Sequence, residues 1–167
     1  TERQLLLQLD YVQPFGQEGK LETGVRSTFR RMTNDYIVSE ENDAGQMIPL
    51  PGLDNNFIYD ENINAVYGIL GDKKNAFSYQ LGLRVEWTDI ETILEETNQS
   101  NPRNYANLFP SAHFTYDLSE ADAMQLSYSR RVRRPVYRDL SPFITFSDNR
   151  NYFSGNPDLN PEFSDVV

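Results

Sequence analysis

The chain has no cysteine, one histidine and no long apolar run. Without cysteine it has no thiolate metal site, thiol nucleophile or disulfide. No apolar stretch approaches the roughly 20 residues that a membrane-spanning helix requires. Basic residues are also in the minority, with 15 lysines and arginines against 25 aspartates and glutamates, for a net charge of −10. Because a basic surface is needed to neutralise phosphates, this balance argues against nucleic acid as the main partner.

One stretch shows the pattern that organises the rest of the chain. Residues 76–88 alternate between apolar and polar side chains, and the apolar row runs from Phe77 to Trp87. Successive side chains of a β-strand point to opposite faces, so the stretch predicts a strand with one apolar and one polar side. The apolar row spans about 33 Å along the strand, or about 23 Å of height at a 45° tilt. That height matches the apolar band of an outer-membrane β-barrel, which lies between two aromatic girdles.

Five further segments alternate with a period of two, as strands do and helices do not. Their rows are Leu5, Leu7, Leu9 and Tyr11; Leu21, Thr23, Val25, Ser27 and Phe29; Phe57, Tyr59, Ile63, Ala65, Tyr67 and Ile69; Ala112, Phe114, Tyr116 and Leu118; and Met124, Leu126, Tyr128 and Val132. The links between the segments alternate in length, short at 14–19, 71–74 and 119–122 and long at 33–56, 89–107 and 134–164.

Outer-membrane barrels place short turns on the periplasmic side and long loops outside. The sequence therefore predicts an all-β fold, an antiparallel transmembrane β-barrel segment of about six strands with short periplasmic turns and long extracellular loops. The row from Phe77 to Trp87 would face lipid, and its polar partners, including Arg84 and Glu86, would face the lumen. Since both ends of the chain lie in strand-like patterns, we expect residues 1–167 to be one partial outer-membrane β-barrel domain, an internal piece of a longer protein.

The second half of the chain resembles a known family. Residues 107–119 and 124–135 are similar to the barrel of TonB-dependent outer-membrane receptors, and the similarity continues through 137–143 into the octapeptide 155–162. The motif residues of this octapeptide are Gly155, Asn156, Pro157, Leu159, Pro161 and Glu162. In the family such a stretch ends an extracellular loop and leads into the next strand, and its two prolines keep the backbone extended. The sequence resembles the Bacteroidetes-type receptors in particular. The resemblance is strong over residues 105–167, and over residues 1–104 it rests mainly on the alternation of strand-like segments and links.

The resemblance implies a barrel of roughly 22 strands with a plugged lumen, of which this chain would form about a quarter. It implies a location in the bacterial outer membrane and uptake of a scarce nutrient of the glycan, peptide or siderophore type. It also implies contact with outer-membrane lipid, a TonB complex that acts through a plug not in this chain, and a possible surface lipoprotein. The resemblance implies no catalytic residue, metal or cofactor.

The densest charge run is Arg130-Arg131-Val132-Arg133-Arg134. Placed by the family, it lies at the extracellular end of a strand. Arg130 and Arg134 would continue the lipid-facing row and could meet lipopolysaccharide phosphates through charge-assisted hydrogen bonds. Arg131 and Arg133 would face the lumen and pair with carboxylates. A solvated rim of ion pairs explains the same run about equally well.

Two other polar groups raise the question of chemistry. His113 shares a polar face with Ser111, Thr115 and Asp117, but four strand steps, roughly 13 Å, separate it from Asp117, too far for a hydrogen bond. A lumen-facing polar residue is the favoured interpretation. The acidic loops with Asp35, Glu40, Glu41, Asp43, Asp54, Asp60 and Glu61 lack the spacing of a calcium loop, so solvation is favoured there.

The last loop combines aromatic and polar side chains. Its candidate ligand residues are Tyr137, Arg138, Asp139, Phe143, Asn149 and Tyr152, with Phe146, Arg150 and Phe153 nearby. Such a mixture suits a sugar, peptide or siderophore surface, and packing of loop on loop is the alternative.

The sequence is also compatible with two other functions. A soluble β-sandwich of six to eight strands could use the apolar rows as a shared core and serve as a binding module. An outer-membrane barrel enzyme is the third possibility, and the lack of a plausible triad or metal set disfavours it. The aromatic row ends and the rhythm of the loops favour the receptor barrel.

Overall fold

The computed structural model describes residues 1–50, 55–141, 144–146 and 151–167, with backbone alone for 55 and 144–146. In chain order the elements are β1 (Glu2–Phe15), β2 (Gly19–Tyr36), β3 (Ser39–Glu41), β4 (Met47–Pro49), β5 (Asn55–Lys74), β6 (Phe77–Leu94), β7 (Gln99–Asp117), β8 (Ala123–Arg133), α1 (Tyr137–Leu140), β9 (Ile144–Phe146), β10 (Tyr152–Ser154) and β11 (Glu162–Val166). The main sheet has seven strands in the order β1-β2-β5-β6-β7-β8-β11, and β3-β4 and β9-β10 form two small hairpins.

All pairs in the main sheet are antiparallel, which confirms the predicted fold class. The six predicted strands are β1, β2, β5, β6, β7 and β8. The seventh, β11, is the strand whose start the sequence suggested at Phe163–Val167, and it pairs with β8 through Phe163 and Val132.

The register aligns apolar side chains across the sheet. Leu9, Val25, Val66, Val85 and Leu108 are successive partners on five adjacent strands and define the apolar face. One residue along, the partners are Asp10, Gly24, Tyr67, Arg84 and Phe109, which define the polar face. Leu83 and Leu108 are about half exposed, at 50% and 56%. An exposed apolar surface that extends over several strands needs a covering partner or a membrane.

The row predicted on β5 lies on the polar face and not on the apolar face. Tyr67 pairs with Arg84, whereas Val66 pairs with Val85, so the apolar face of β5 is made by its even-numbered residues. At the N-terminal end of this row, Phe57 and Tyr59 are 2% exposed and belong to a hydrophobic cluster. Alternation within one strand identifies two faces, but only pairing with a neighbour decides which face is which.

The predicted long link at 89–107 is wrong. The β6–β7 ladder continues from Asp89 paired with Asn104 to Leu94 paired with Gln99, and the connection is the four residues 95–98. Alternation continues through Ile90, Thr92 and Leu94, whose side chains are buried on the polar face. Pro102 lies where the described β7 pairs with β6 alone, and proline is tolerated at such an edge. The predicted long links between β2 and β5 and between β8 and β11 are present.

Candidate functional site: the polar face and the segment folded onto it

The link between β8 and β11 folds back onto the polar face. Its described residues, 134–141, 144–146 and 151–161, are called the β8–β11 segment. Leu140 at the end of α1 is 2% exposed and packs in a cluster with Phe57, Tyr59, Ile90 and Leu94. Tyr137, one turn earlier, packs against the same cluster. Full burial of a leucine side chain contributes roughly 1.5–3 kcal/mol, so this contact holds the segment against the sheet.

Burial also changes the acid–base character of one member of this cluster. The Tyr59 hydroxyl donates to Glu61 Oε1 at 2.9 Å. Burial, reinforced by the nearby Glu61 carboxylate, raises the pKa of the Tyr59 phenol far above its ordinary value. Tyr59 is therefore a fixed neutral donor at every physiological pH.

A buried ion-pair group holds the start of the β8–β11 segment. Glu86, 6% exposed on β6, accepts a hydrogen bond from Arg84 Nε at 2.5 Å and a second one from Arg134 Nη2. Arg134 Nη2 also lies 3.5 Å from Thr88 Oγ1. A carboxylate at this depth needs compensating charge, which the two guanidinium groups supply.

This contact corrects the prediction that Arg134 continues the lipid-facing row. Arg134 points to the polar face, because β8 ends at Arg133 and alternation no longer determines direction beyond it. Arg130 lies in the row of Leu126 and Tyr128, with its guanidinium 5.2 Å from the Phe163 ring centroid and 4.0 Å from Asp165 Oδ1.

The octapeptide motif holds the end of the segment. The Gly155 N–H donates to the Ser141 carbonyl at 2.7 Å, and the Asn156 N–H donates to the Asp139 carbonyl at 2.6 Å. A Cβ on Gly155 would lie 2.5 Å from the Asp139 carbonyl oxygen, so only glycine fits this close backbone approach. Asn156 Oδ1 accepts from the Asp158 N–H at 2.9 Å and stabilises the turn.

Arg103 on β7 then fixes the motif to the sheet. Its Nη1 donates to the Leu159 carbonyl, and its Nη2 lies 3.5 Å from Asp158 Oδ1. Pro161 follows, and Glu162 opens β11 opposite Arg133. Sequence reasoning missed Arg103 because it lay inside a stretch taken as a loop, and only the continuation of alternation from Ile90 to Leu94 could have signalled it.

The candidate ligand residues occupy different environments. Arg138 lies 5.4 Å from the Phe153 ring centroid, and the Asp139 carboxylate accepts from the Val136 N–H at 3.3 Å. Tyr152 is 68% exposed, while Tyr137 is engaged in the cluster. Phe143 and Asn149 lie outside the described residues. The structure brings Arg138 and Asp139 to one groove together with Arg133, Arg134 and Glu162.

A second polar network on the polar face spans the three strands β1, β2 and β5. The Tyr67 hydroxyl on β5 reaches over Gly24 on β2 and donates to Asp10 Oδ1 on β1, and Gln8 Nε2 donates to Asp10 Oδ2 at 2.8 Å. A Cβ at Gly24 would lie 2.5 Å from the Tyr67 ring. Arg84 lies 5.8 Å from the centroid of that ring. On this part of the polar face, side chains of β1, β5 and β6 are thus joined in one polar network.

His113 takes part in a local contact. Its Nε2 is 3.2 Å from Thr115 Oγ1, two residues along the same strand, and Gln80 and Ser127 are its cross-strand partners. Over the described ranges, the acidic side chains and His113 form no group of three or more that could hold a metal ion.

A family comparison identifies this two-sided sheet. The model of the outer membrane protein beta-barrel family matches residues 1–167. The chain belongs to the outer membrane protein beta-barrel family. Its place is the bacterial outer membrane, and the soluble β-sandwich alternative is excluded.

A solved structure shares the fold. The crystal structure of the ferric citrate transporter FecA in the unliganded form is similar over 78% of this chain, with a TM-score of 0.58 and 14% sequence identity. The aligned region covers 20% of that transporter, so the chain spans about a fifth of its length. None of the curated proteins matches. In the part of the chain that the structure describes, no helix is long and apolar enough to cross a membrane.

Membership in this barrel family assigns the two faces. The apolar face meets lipid and the polar face lines the lumen, as in other barrels. A tilted strand needs about 9–11 residues to cross the bilayer, whereas β5, β6 and β7 have 20, 18 and 19. The hydrophobic cluster and the folded-back segment lie at the ends of these strands where the long links emerge, which is the extracellular mouth.

Proposed function

We propose that the chain forms part of the barrel of a TonB-dependent outer-membrane receptor that imports a nutrient, and that the β8–β11 segment lines the extracellular mouth of its lumen. The observation that carries this proposal is the attachment of the segment at Arg134–Glu86, Leu140 and Arg103–Leu159. Loops held inside a barrel mouth narrow it and present side chains to an entering ligand.

The proposal includes partners. A plug inside the complete barrel would contact the polar wall of Asp10, Tyr67 and Arg84, and the TonB complex would act on it. Arg130, half exposed on the apolar face, would contact lipopolysaccharide phosphates. A surface lipoprotein would cover the mouth.

Catalysis is no part of this proposal. Among the described residues, the hydrogen-bond partner of His113 is the Thr115 hydroxyl, and no carboxylate there orients its ring as a general base would require. The lipid-facing apolar surface and the loop segment inside the mouth fit transport.

Uptake by cells that produce the full-length protein tests the function. Growth on a nutrient that requires this protein should be lost when the TonB complex is deleted, and it should return when the complex is restored. Uptake that continues unchanged without the complex would contradict an energised receptor and favour a passive pore.

A further inference from the structure

An uncharged groove opens between the tip of the β6–β7 hairpin and the octapeptide motif. Its volume is about 440 Å³, and it is lined by Phe57, Thr92, Leu94, Asn98, Gln99, Ser100, Asn101 and Pro157. None of these eight residues carries a charge, although 24% of the chain does. Small-molecule sites have volumes of roughly 300–1,000 Å³, so the groove is large enough for a ligand.

The groove has a buried floor and a polar rim. Phe57, Thr92 and Leu94 in the floor are 2%, 7% and 8% exposed. The rim carries the exposed Gln99 and the half-buried Asn101. The opposite side is Pro157, whose position is fixed because Arg103 binds the Leu159 carbonyl two residues further on.

The chemistry of the lining selects a class of ligand. A charged ligand would lose hydration here without gaining a counter-charge from the lining. The carboxamides of Asn98, Gln99 and Asn101 each donate and accept hydrogen bonds, which matches hydroxyl groups that do the same. Ser100 contributes less, since its hydroxyl already donates to Glu91 Oε1 at 2.7 Å.

We propose that this groove binds a neutral saccharide. The proposal rests on the uptake function and names the class of nutrient. Hydroxyl groups would pair with the carboxamide rim, while the C–H faces of a sugar ring would lie on the apolar floor and on Pro157. A short free peptide fits less well because its terminal charges would find no partner among the lining residues.

Binding to the purified full-length protein in detergent tests the proposal. Isothermal titration calorimetry would use maltotriose, cellotriose and triacetylchitotriose as neutral probes, with trigalacturonate and trialanine as charged ones. We expect at least one neutral trisaccharide to bind, and Gln99→Ala and Asn101→Ala each to weaken it about three- to tenfold, the effect of one lost neutral hydrogen bond. Gln17→Ala, an exposed carboxamide at the opposite end of the sheet, should leave affinity unchanged.

The possible results separate this proposal from the function on which it rests. No binding of any neutral probe, or binding that Gln99→Ala and Asn101→Ala leave intact, overturns the saccharide site. So does binding of trigalacturonate or trialanine alone that the same substitutions weaken. Saccharide binding with uptake that does not need TonB supports the groove and refutes the energised receptor instead.

Discussion

At the scale of single residues, Glu86 is central to the mouth. It is almost fully buried, and two arginines from different parts of the chain share its carboxylate. Arg84 comes from the same strand and would be in place whether or not the β8–β11 segment were folded back. Arg134 belongs to the segment, so the second contact forms only when the segment lies on the wall.

Removing the carboxylate should therefore release the segment. We expect Glu86→Ala to lower the free energy of opening by about 2 kcal/mol, a value reduced from that of a fully buried pair because both arginines keep some exposure. Trypsin cleavage after Arg138 in full-length protein, followed by mass spectrometry, should accelerate about 30-fold. Glu96→Ala, at an exposed hairpin tip, should not change the rate. Equal rates in Glu86→Ala and wild type would mean that Arg134 does not hold the segment.

At two positions only glycine leaves enough space for a neighbouring group that passes close to the backbone. Gly24 leaves room for the Tyr67 ring to cross β2 and reach Asp10. Gly155 leaves room for the carbonyls of Arg138 and Asp139, so the motif can dock on α1. Neither glycine has a positive φ angle, so at each position the constraint is space rather than backbone conformation.

At the scale of elements, the β6–β7 hairpin serves two environments. Its lower half has Leu83 and Val85 on the apolar face, and its upper half has Ile90 and Leu94 on the polar face, within the cluster that receives Leu140. The hydrophobic side of the hairpin therefore changes along its length. The lower part meets lipid, and the upper part forms a small core inside the mouth.

A matched pair of arginine substitutions tests which face of β6 meets lipid and which lines the lumen. We expect Leu83→Arg to destabilise the barrel by about 2–4 kcal/mol, because it places a charge on the lipid face near the middle of the band. Gln80→Arg, three residues away on the lumen side, should change stability little. Urea unfolding of the full-length protein in lipid vesicles measures both. A similar loss for the two variants would contradict the assignment of faces.

The sequence predicted most elements but not all of their ends. Strict alternation identified β1, β2, β5, β6, β7 and β8, because two-sided strands show their period directly. It missed the extension of β6 and β7 past Asp89 because charged and polar residues there look like a loop, and their apolar partners are buried by a segment far away in sequence. The long link between β8 and β11 was predicted, but the partner of Arg134 was not, since a contact over 48 residues has no local signature.

At the scale of the whole molecule, the described sheet is open. β1 pairs only with β2, and β11 pairs only with β8, so each outer strand leaves one edge of backbone groups unpaired. The apolar face adds exposed leucines and valines over five strands. Unpaired edges and a large apolar surface both favour association in water.

Residues 1–167 produced alone should therefore not behave as a soluble protein. We expect an insoluble or oligomeric product in water that disperses only with detergent, as measured by light scattering coupled to size-exclusion chromatography. A stable monomer in plain buffer would contradict the exposure of the apolar face. The full-length protein in detergent provides the reference.

The sequence by itself determined the strands and their two-sided character, because alternation is a property of neighbouring residues along one backbone. The motif at 155–162, and not the alternation, indicated the family. Only the tertiary structure decided which face of β5 looks inward, where the β6–β7 hairpin turns, and that the β8–β11 segment lies inside the mouth. Register between strands and a buried ion pair between distant residues set those features. Neither is encoded in any short stretch of sequence.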